Sequence, residues 1–239
     1  MRNCALDFGN TQLKAAIFQN REFLDLFFFQ TFTEVVSFLK REQFDHVILS
    51  SVLNHQETDR FLQQLDFSPL VLNERTSIPI LNGYESADTL GKDRLANACF
   101  GGVQSAKRPV LVIDAGTCLK FDFIDSQKGY LGGSISPGLD MRYKALNNYT
   151  GNLPLVSNEE EYQNLIGTNT KTSILSGVKI GMQEEINGVI RKYEAIYRDL
   201  TIFITGGDLD KFELNSKNTI FADRLITLKG LNEILLFNI

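Results

Sequence analysis

Val112-Ile113-Asp114-Ala115-Gly116-Thr117-Cys118-Leu119-Lys120-Phe121-Asp122-Phe123-Ile124 is an apolar run, an Asp-x-Gly-Thr turn and a second apolar run that carries a lysine. The same pattern lies near the start of the chain, in Leu6-Asp7-Phe8-Gly9-Asn10-Thr11-Gln12-Leu13-Lys14-Ala15-Ala16-Ile17-Phe18. With one gap allowed, the two stretches share Asp, Gly, Thr, Leu and Lys in order. Apolar runs bounded by a glycine turn predict paired strands. A repeated unit predicts two similar half-domains facing one another. Each half then offers a carboxylate and a glycine turn, a donor set suited to a nucleoside triphosphate and its metal. Taken singly, the first hairpin is also explained by an aspartate that caps its own turn. Its repetition argues against coincidence.

Outward from the hairpins, residues 3–8, 11–19 and 22–29 read as three strands, followed by helical spacing over Thr33–Arg41. A buried strand at 45–50, a helix near 56–65 and a short strand at 69–72 complete the first half. The second half repeats this order, with strands at 109–114, 117–125 and 128–134 and helices near 138–148 and 170–194. A strand at 200–204 and a helix over 224–236 close it, and a helix over 91–105 joins the halves. The order places the chain in the α/β class, divided as residues 1–108 and 109–239.

Composition narrows the function. With 239 residues, 43% of them hydrophobic, the chain is expected to bury roughly 70–75% of its unfolded surface. A net charge of −5 without a basic stripe excludes nucleic acid as an expected partner. Only two histidines, His46 and His55, are present, too few for an imidazole metal site. Cys4, Cys99 and Cys118 form no CxxC pair and read as small buried hydrophobes in a reducing compartment. No secretory h-region and no run approaching 18 apolar residues is found, so a cytoplasmic protein without a membrane partner is expected.

Further elements carry chemistry. Gly9 lets backbone N–H groups approach phosphate oxygens, while Asn10, Thr11 and Lys14 add donors. Asp7 can hold Mg²⁺ through water, since that ion takes only one or two carboxylates. Ile204-Thr205-Gly206-Gly207-Asp208 ends a buried strand in small residues on which a nucleotide can pack. Leu90-Gly91-Lys92-Asp93-Arg94 sets a base beside an anion anchor, and also reads as an ordinary helix start. Transfer of a phosphoryl group to a hydroxyl needs such a carboxylate to take the proton. Gly132-Gly133-Ser134-Ile135-Ser136-Pro137-Gly138-Leu139 suits a substrate-facing loop or a tight connection. Thr170 reads as a helix cap or as a hydroxyl donor to substrate.

Together these elements resemble type III pantothenate kinase, within the actin-like acetate and sugar kinase superfamily. The resemblance rests on Asp7–Thr11, Ser51-Val52, Tyr84, Gly91–Arg94, Asp114–Thr117, Gly132–Gly138, Asn169-Thr170 with Ser176-Gly177, and Thr205–Asp208. It implies two duplicated actin- or ribonuclease H-like domains, each a mixed five-stranded sheet flanked by helices, with the active site in the cleft between them. It implies ATP-dependent phosphorylation of pantothenate, the first step of coenzyme A biosynthesis, by a homodimer. Asp93 would be the general base. Asp7, Phe8, Gly9, Asn10, Thr11, Gln12, Leu13, Lys14, Thr117, Gly206 and Gly207 would bind ATP. Tyr84, Gly91, Lys92, Asp93, Arg94 and Thr170 would line the pantothenate pocket. Asp114 would hold a monovalent cation, K⁺ or NH₄⁺, with Mg²⁺ accompanying the nucleotide.

The chain departs from that family at two points. Cys118-Leu119-Lys120 replaces small and hydroxyl residues, and Lys120 is free by sequence to point toward the phosphates or away. Ala87 stands where a proline is usual. Rival readings keep the fold but change the acceptor to a sugar, another hydroxy acid or water, or make the chain a nucleotide-binding transcription accessory factor. Arg94 separates the first set, because a neutral sugar needs no cation beside the base.

Overall fold

Side-chain alternation along the first three strands builds the core on both faces of one sheet. The computed structural model describes residues 1–9, 12–105, 107–157, 159–160 and 162–239. β1 (Arg2–Phe8), β2 (Leu13–Gln19) and β3 (Glu22–Phe29) run as an antiparallel meander. Cys4, Leu6 and Phe8 of β1 with Leu13, Ala15 and Ile17 of β2 face one apolar cluster; Ala5, Ala16 and Phe18 face another. α1 (Phe32–Glu42) covers the first cluster with Val35, Val36, Phe38 and Leu39. Thr31 caps it, its hydroxyl accepting from the Glu34 amide at 3.3 Å. β4 (His46–Ser51) and β5 (Leu70–Val71) add in parallel, giving the order β3-β2-β1-β4-β5. α2 (His55–Leu62) lies between them in sequence. It stops short of the expected residue 65, where Gln64 and Leu65 bond back only three residues, to Phe61 and Leu62.

The second sheet repeats the first strand for strand. β6 (Val110–Ala115) is central, with β7 (Cys118–Asp125) antiparallel on one side and β8 (Gly129–Pro137) beyond it. On the other side β9 (Thr201–Thr205) and then β10 (Ile220–Ala222) add in parallel. The order β10-β9-β6-β7-β8 mirrors the first sheet. This duplicated mixed sheet is the fold class the sequence indicated. β10 was not anticipated. α4 (Leu139–Asn148) and α5 (Thr170–Ile196) bury Leu139, Tyr143, Leu175, Met182, Ile186 and Ile190 in the cluster on this sheet.

By contacts the chain divides into two compact units. One is Met1–Ala106 with Gln127–Leu131 and Leu225–Ile239; the other is Lys107–Ser126 with Gly132–Arg224. A cut at 108/109 therefore misassigns the last helix, α6 (Ile226–Phe237), which belongs with the first unit. The cause is its apolar face. Leu228, Leu231, Ile234 and Leu235 are buried against Ala5, Ala16, Phe18, Ile48, Ala96 and Cys99. Each such side chain contributes about 1.5–3 kcal/mol on burial. Gly230 allows the approach, since a Cβ there would lie 1.9 Å from the carbonyl oxygen of Ala96 in α3 (Lys92–Gln104). Polar ties add register: Thr227 donates to Asn97 at 2.8 Å, and the Arg21 Nε meets both Glu233 oxygens at 2.9 and 3.0 Å.

Cys4 and Cys99 are buried, and burial pushes both thiols well above their usual range. Both behave as the small hydrophobes expected of them. Among the described residues, no helix is long and apolar enough to cross a membrane.

Candidate active site

In the first unit, Asp7 is the penultimate residue of β1 and pairs in register with Lys14 on β2. Both are half-buried. The Gly9 amide donates to the Gln12 carbonyl at 3.1 Å and closes the turn. Asn10 and Thr11, named as ATP ligands from sequence, lie outside the described residues. Phe8 packs edge-on against Phe61 at 4.8 Å, and Leu13 is buried in the same cluster. Their side chains serve the core, so only their backbone can meet a ligand.

A second group forms where α3 begins. Gly91 is its N-cap and supplies no side-chain acceptor; instead Asp93 Oδ1 accepts from the Arg94 amide at 2.9 Å. The helix dipole favours negative charge at this end, whether of a carboxylate or of an anionic ligand. Lys92 Nζ donates to the Ser51 carbonyl at 3.1 Å, and Ser51 pairs in register with Phe8. The lysine thus ties the start of α3 to the strand ends beside the Asp7 hairpin. Arg94 is 5% exposed, with its guanidinium over the Tyr84 ring, 5.6 Å from the centroid. Tyr84 is itself stacked on Tyr130 at 5.7 Å and 24°. Tyr130 grips the preceding strap, accepting from the Gly83 amide at 2.8 Å and donating its own amide to Leu81 at 2.9 Å. Tyr84, Gly91, Lys92, Asp93 and Arg94 are therefore brought together as one cluster of a carboxylate, two cations and an aromatic ring. Tyr130 was missed, because nothing local in its sequence announces a bridge to Asn82.

In the second unit the turn between β6 and β7 is clasped by two loops. The Gly116 amide donates to Cys118 at 3.2 Å and the Gly138 amide to Thr117 at 3.2 Å. A Cβ on Gly138 would lie 2.1 Å from the Gly116 oxygen. Gly206 has φ +103 and a virtual Cβ 2.2 Å from the Ala115 oxygen, so only glycine fits. The Asp208 amide donates to Ala115 at 2.9 Å. Three glycine elements that are far apart in sequence converge on one backbone turn, leaving Thr117 and Gly207 exposed. Burial pushes the Asp208 carboxyl upward, opposed by Lys211 at 3.3 Å. Thr170 is exposed as the first residue of α5. The cap is Asn169, which accepts from the Thr172 amide at 2.9 Å in a reciprocal capping box. The cap reading of Thr170 is thereby corrected, and its hydroxyl is left for another use.

The register of β6 and β7 decides the direction of Lys120. Asp114 and Lys120 are cross-strand partners, and Nζ lies 2.7 Å from Asp114 Oδ2. Their side chains are 12% and 14% exposed. A further monovalent cation on this carboxylate would face that ammonium. Lys120 already neutralises the carboxylate at contact distance, so a second cation would meet a neutral pair together with the repulsion of the adjacent ammonium. The residues present do not fit a K⁺ or NH₄⁺ ion at Asp114. Asp7, a half-buried carboxylate at a strand end with Lys14 as its cross-strand partner, is the kind of single ligand that Mg²⁺ takes through water. Among the described residues, no group of three or more His, Cys, Asp or Glu is placed to hold a metal.

Comparison with known proteins adds to this geometry. The sequence profile described as type III pantothenate kinase matches residues 3–192. A protein of that name from Bacteroides fragilis (strain YCH46) is 40% identical over 241 residues, covering 99% of this chain and 98% of its own. One from Phocaeicola vulgatus is 41% identical over 239 residues, with the same coverage of 99% and 98%. Among solved structures, a Campylobacter jejuni protein assigned to the Baf family of transcriptional activators aligns with TM-score 0.57 at 20% identity, over 98% of both chains. An inorganic polyphosphate/ATP-glucomannokinase from Arthrobacter aligns with TM-score 0.50 at 15% identity, over 100% and 99%. A ROK family protein from Streptococcus pneumoniae gives TM-score 0.52 at 10% identity, again over 100% and 99%. At these identities the structural likeness is one of fold.

Proposed function

Because this chain belongs to the type III pantothenate kinase family, we propose that it transfers the γ-phosphoryl group of ATP to the primary hydroxyl of pantothenate, opening coenzyme A biosynthesis. The observation that supports this most is the cluster at the start of α3, where Asp93 follows Lys92 and precedes an Arg94 held over Tyr84. Pantothenate carries one primary hydroxyl to be phosphorylated and one carboxylate to be recognised. Asp93 accepts the hydroxyl proton as the oxygen attacks the γ-phosphorus, and ADP leaves. Arg94 matches the carboxylate through its planar fork of donors. Tyr84, Gly91 and Lys92 stand beside these two residues, and Thr170 is assigned to the same substrate.

The nucleotide contacts are assigned to both hairpins. Gly9, Asn10, Thr11, Gln12 and Lys14, with the backbone of Phe8 and Leu13, take the phosphates; Thr117, Gly206 and Gly207 take the remainder. Mg²⁺ held at Asp7 through water would neutralise phosphate charge as the bond is transferred. The enzyme is assigned to the cytoplasm as a homodimer, a state that sedimentation of the pure chain reads directly. The transcription-factor reading gains no support, since the matching family and the close relatives carry the name of a kinase.

The test is an ADP-release assay of the purified chain with ATP, Mg²⁺ and, in turn, pantothenate, glucose, N-acetylmannosamine and buffer. ADP should appear in step with phosphopantothenate and near background in the other arms. Equal release without pantothenate, or faster release with a sugar, would overturn the assignment.

A further inference from the structure

We propose that Lys120 supplies, from within the chain, the positive charge that a bound K⁺ or NH₄⁺ would bring to Asp114, so that nucleotide binding by this protein is independent of monovalent cations. The inference rests on the assignment of the Asp114 turn to the nucleotide.

The argument starts from the backbone. Asp114 is the penultimate residue of β6, and the tight Ala115–Thr117 turn returns the chain so that Lys120 falls opposite it. A cross-strand pair of this kind holds its side chains on one face of the sheet. The lysine therefore reaches the carboxylate without a long search of rotamers, and its Nζ stands 2.7 Å from Oδ2. The head group of lysine is an ammonium, chemically a tethered NH₄⁺ with three donors. Its surroundings are largely closed: the Asp114 and Lys120 side chains are 12% and 14% exposed. The same turn is clasped by Gly138 and Gly206 through close backbone contacts. The charge is thus fixed beside the loops that are assigned to the nucleotide, not carried on a surface side chain.

Tethering changes the thermodynamics of the site. A diffusible ion occupies its position according to its concentration and stabilises the state that binds it by mass action. A tethered ammonium is present at every salt composition. The pair also excludes a competitor, because a second cation at Asp114 would meet like charge from Lys120. Asp114 keeps a charge-neutralising role, but its partner is a residue of this chain.

The experiment compares wild type with Lys120→Ala and Lys120→Met in K⁺- and NH₄⁺-free buffer. Ionic strength is held with choline chloride while KCl, NH₄Cl or methylammonium chloride is titrated in. Two quantities are read: the thermal midpoint, and the Kd for a non-hydrolysable ATP analogue with Mg²⁺. For wild type neither should respond, with Kd constant within about 2-fold. For the variants Kd should be weaker in choline and recover by about 5–100-fold on addition of K⁺ or an ammonium ion, the usual range for coupled sites. Their thermal midpoint should rise in parallel. A wild type that gains affinity or midpoint with K⁺ would overturn the proposal. So would folded variants that ignore every cation. The wild-type arm stands even if both variants fail to fold: a ²⁰⁵Tl⁺ resonance bound to wild type and lost in Asp114→Asn also refutes it. Absence of analogue binding in all buffers would instead sink the nucleotide assignment, while the thermal and thallium titrations would still decide the role of Lys120.

Discussion

The guanidinium of Arg94 lies over the ring of Tyr84, 5.6 Å from its centroid, and is almost wholly buried. The Tyr84 ring also stacks on Tyr130, with centroids 5.7 Å apart. A cation–π contact of this type contributes about 0.5–2 kcal/mol, and here it also orients the donor fork. Tyr84→Leu should therefore raise the KM for pantothenate about 3–30-fold, with kcat nearly unchanged. Steady-state kinetics in pantothenate check this. An equal fall in kcat would assign the ring to the transition state, not to binding.

Asp93→Asn keeps the acceptor that holds the Arg94 amide at 2.9 Å, so the start of α3 should survive the change. What it removes is the proton acceptor. A fall in kcat of roughly 10²–10⁴-fold is expected. The circular dichroism spectrum and the KM for ATP should stay close to wild type. Wild-type turnover by a folded variant would dismiss Asp93 as the base.

Gly206 and Gly207 are neighbours with opposite tolerances. Gly206 combines φ +103 with a virtual Cβ 2.2 Å from the Ala115 oxygen, whereas a Cβ on Gly207 meets nothing within 4 Å. Gly206→Ala should cost roughly 2–4 kcal/mol. Gly207→Ala should change stability by less than about 0.5 kcal/mol. Urea unfolding of the two variants side by side measures the contrast.

Glu194 provides a pH signature. Burial acts to raise its carboxyl, but hydrogen bonds from the Ser216 hydroxyl (2.6 Å), the Lys217 amide (2.8 Å) and the Asn218 amide and side chain (3.3 and 3.1 Å) prevail and lower it. A folded pKa below the unfolded one adds stability above the unfolded pKa of about 4.3 and loses it as pH falls further. Glu194→Gln should cost about 1 kcal/mol at neutral pH, allowing for solvent screening. The gap to wild type should close below about pH 4 in thermal melts.

Both hairpins were legible because their signals are local: alternating apolar residues, a glycine turn and a repeated order. The cluster at Tyr84 and Gly91–Arg94 was legible by resemblance, and folding gathers those residues through Lys92 and Tyr130. What escaped was set at a distance. β10 is three residues long and exists only because β9 offers it a parallel edge. The allegiance of α6 depends on Gly230 meeting Ala96, more than a hundred residues away in sequence. The direction of Lys120 followed from strand register, which one residue more or less in the turn would have reversed. Phe8 and Leu13 entered the ligand set through the family resemblance, while their inward direction follows from period-two alternation.

The first unit is threaded from both extremes of the sequence, with β1 near the beginning and α6 near residue 239. On the ribosome, its second apolar face must wait for Leu228, Leu231, Ile234 and Leu235 to emerge. Residues 132–224 emerge earlier, and with Lys107–Ser126 they contain every segment of the other unit. That later-starting unit can mature first, reversing the usual order in which nascent domains fold. A nascent chain halted before residue 225 should leave Ala5, Phe18 and Ile48 open to chaperones, a vulnerability that ends only with the final helix.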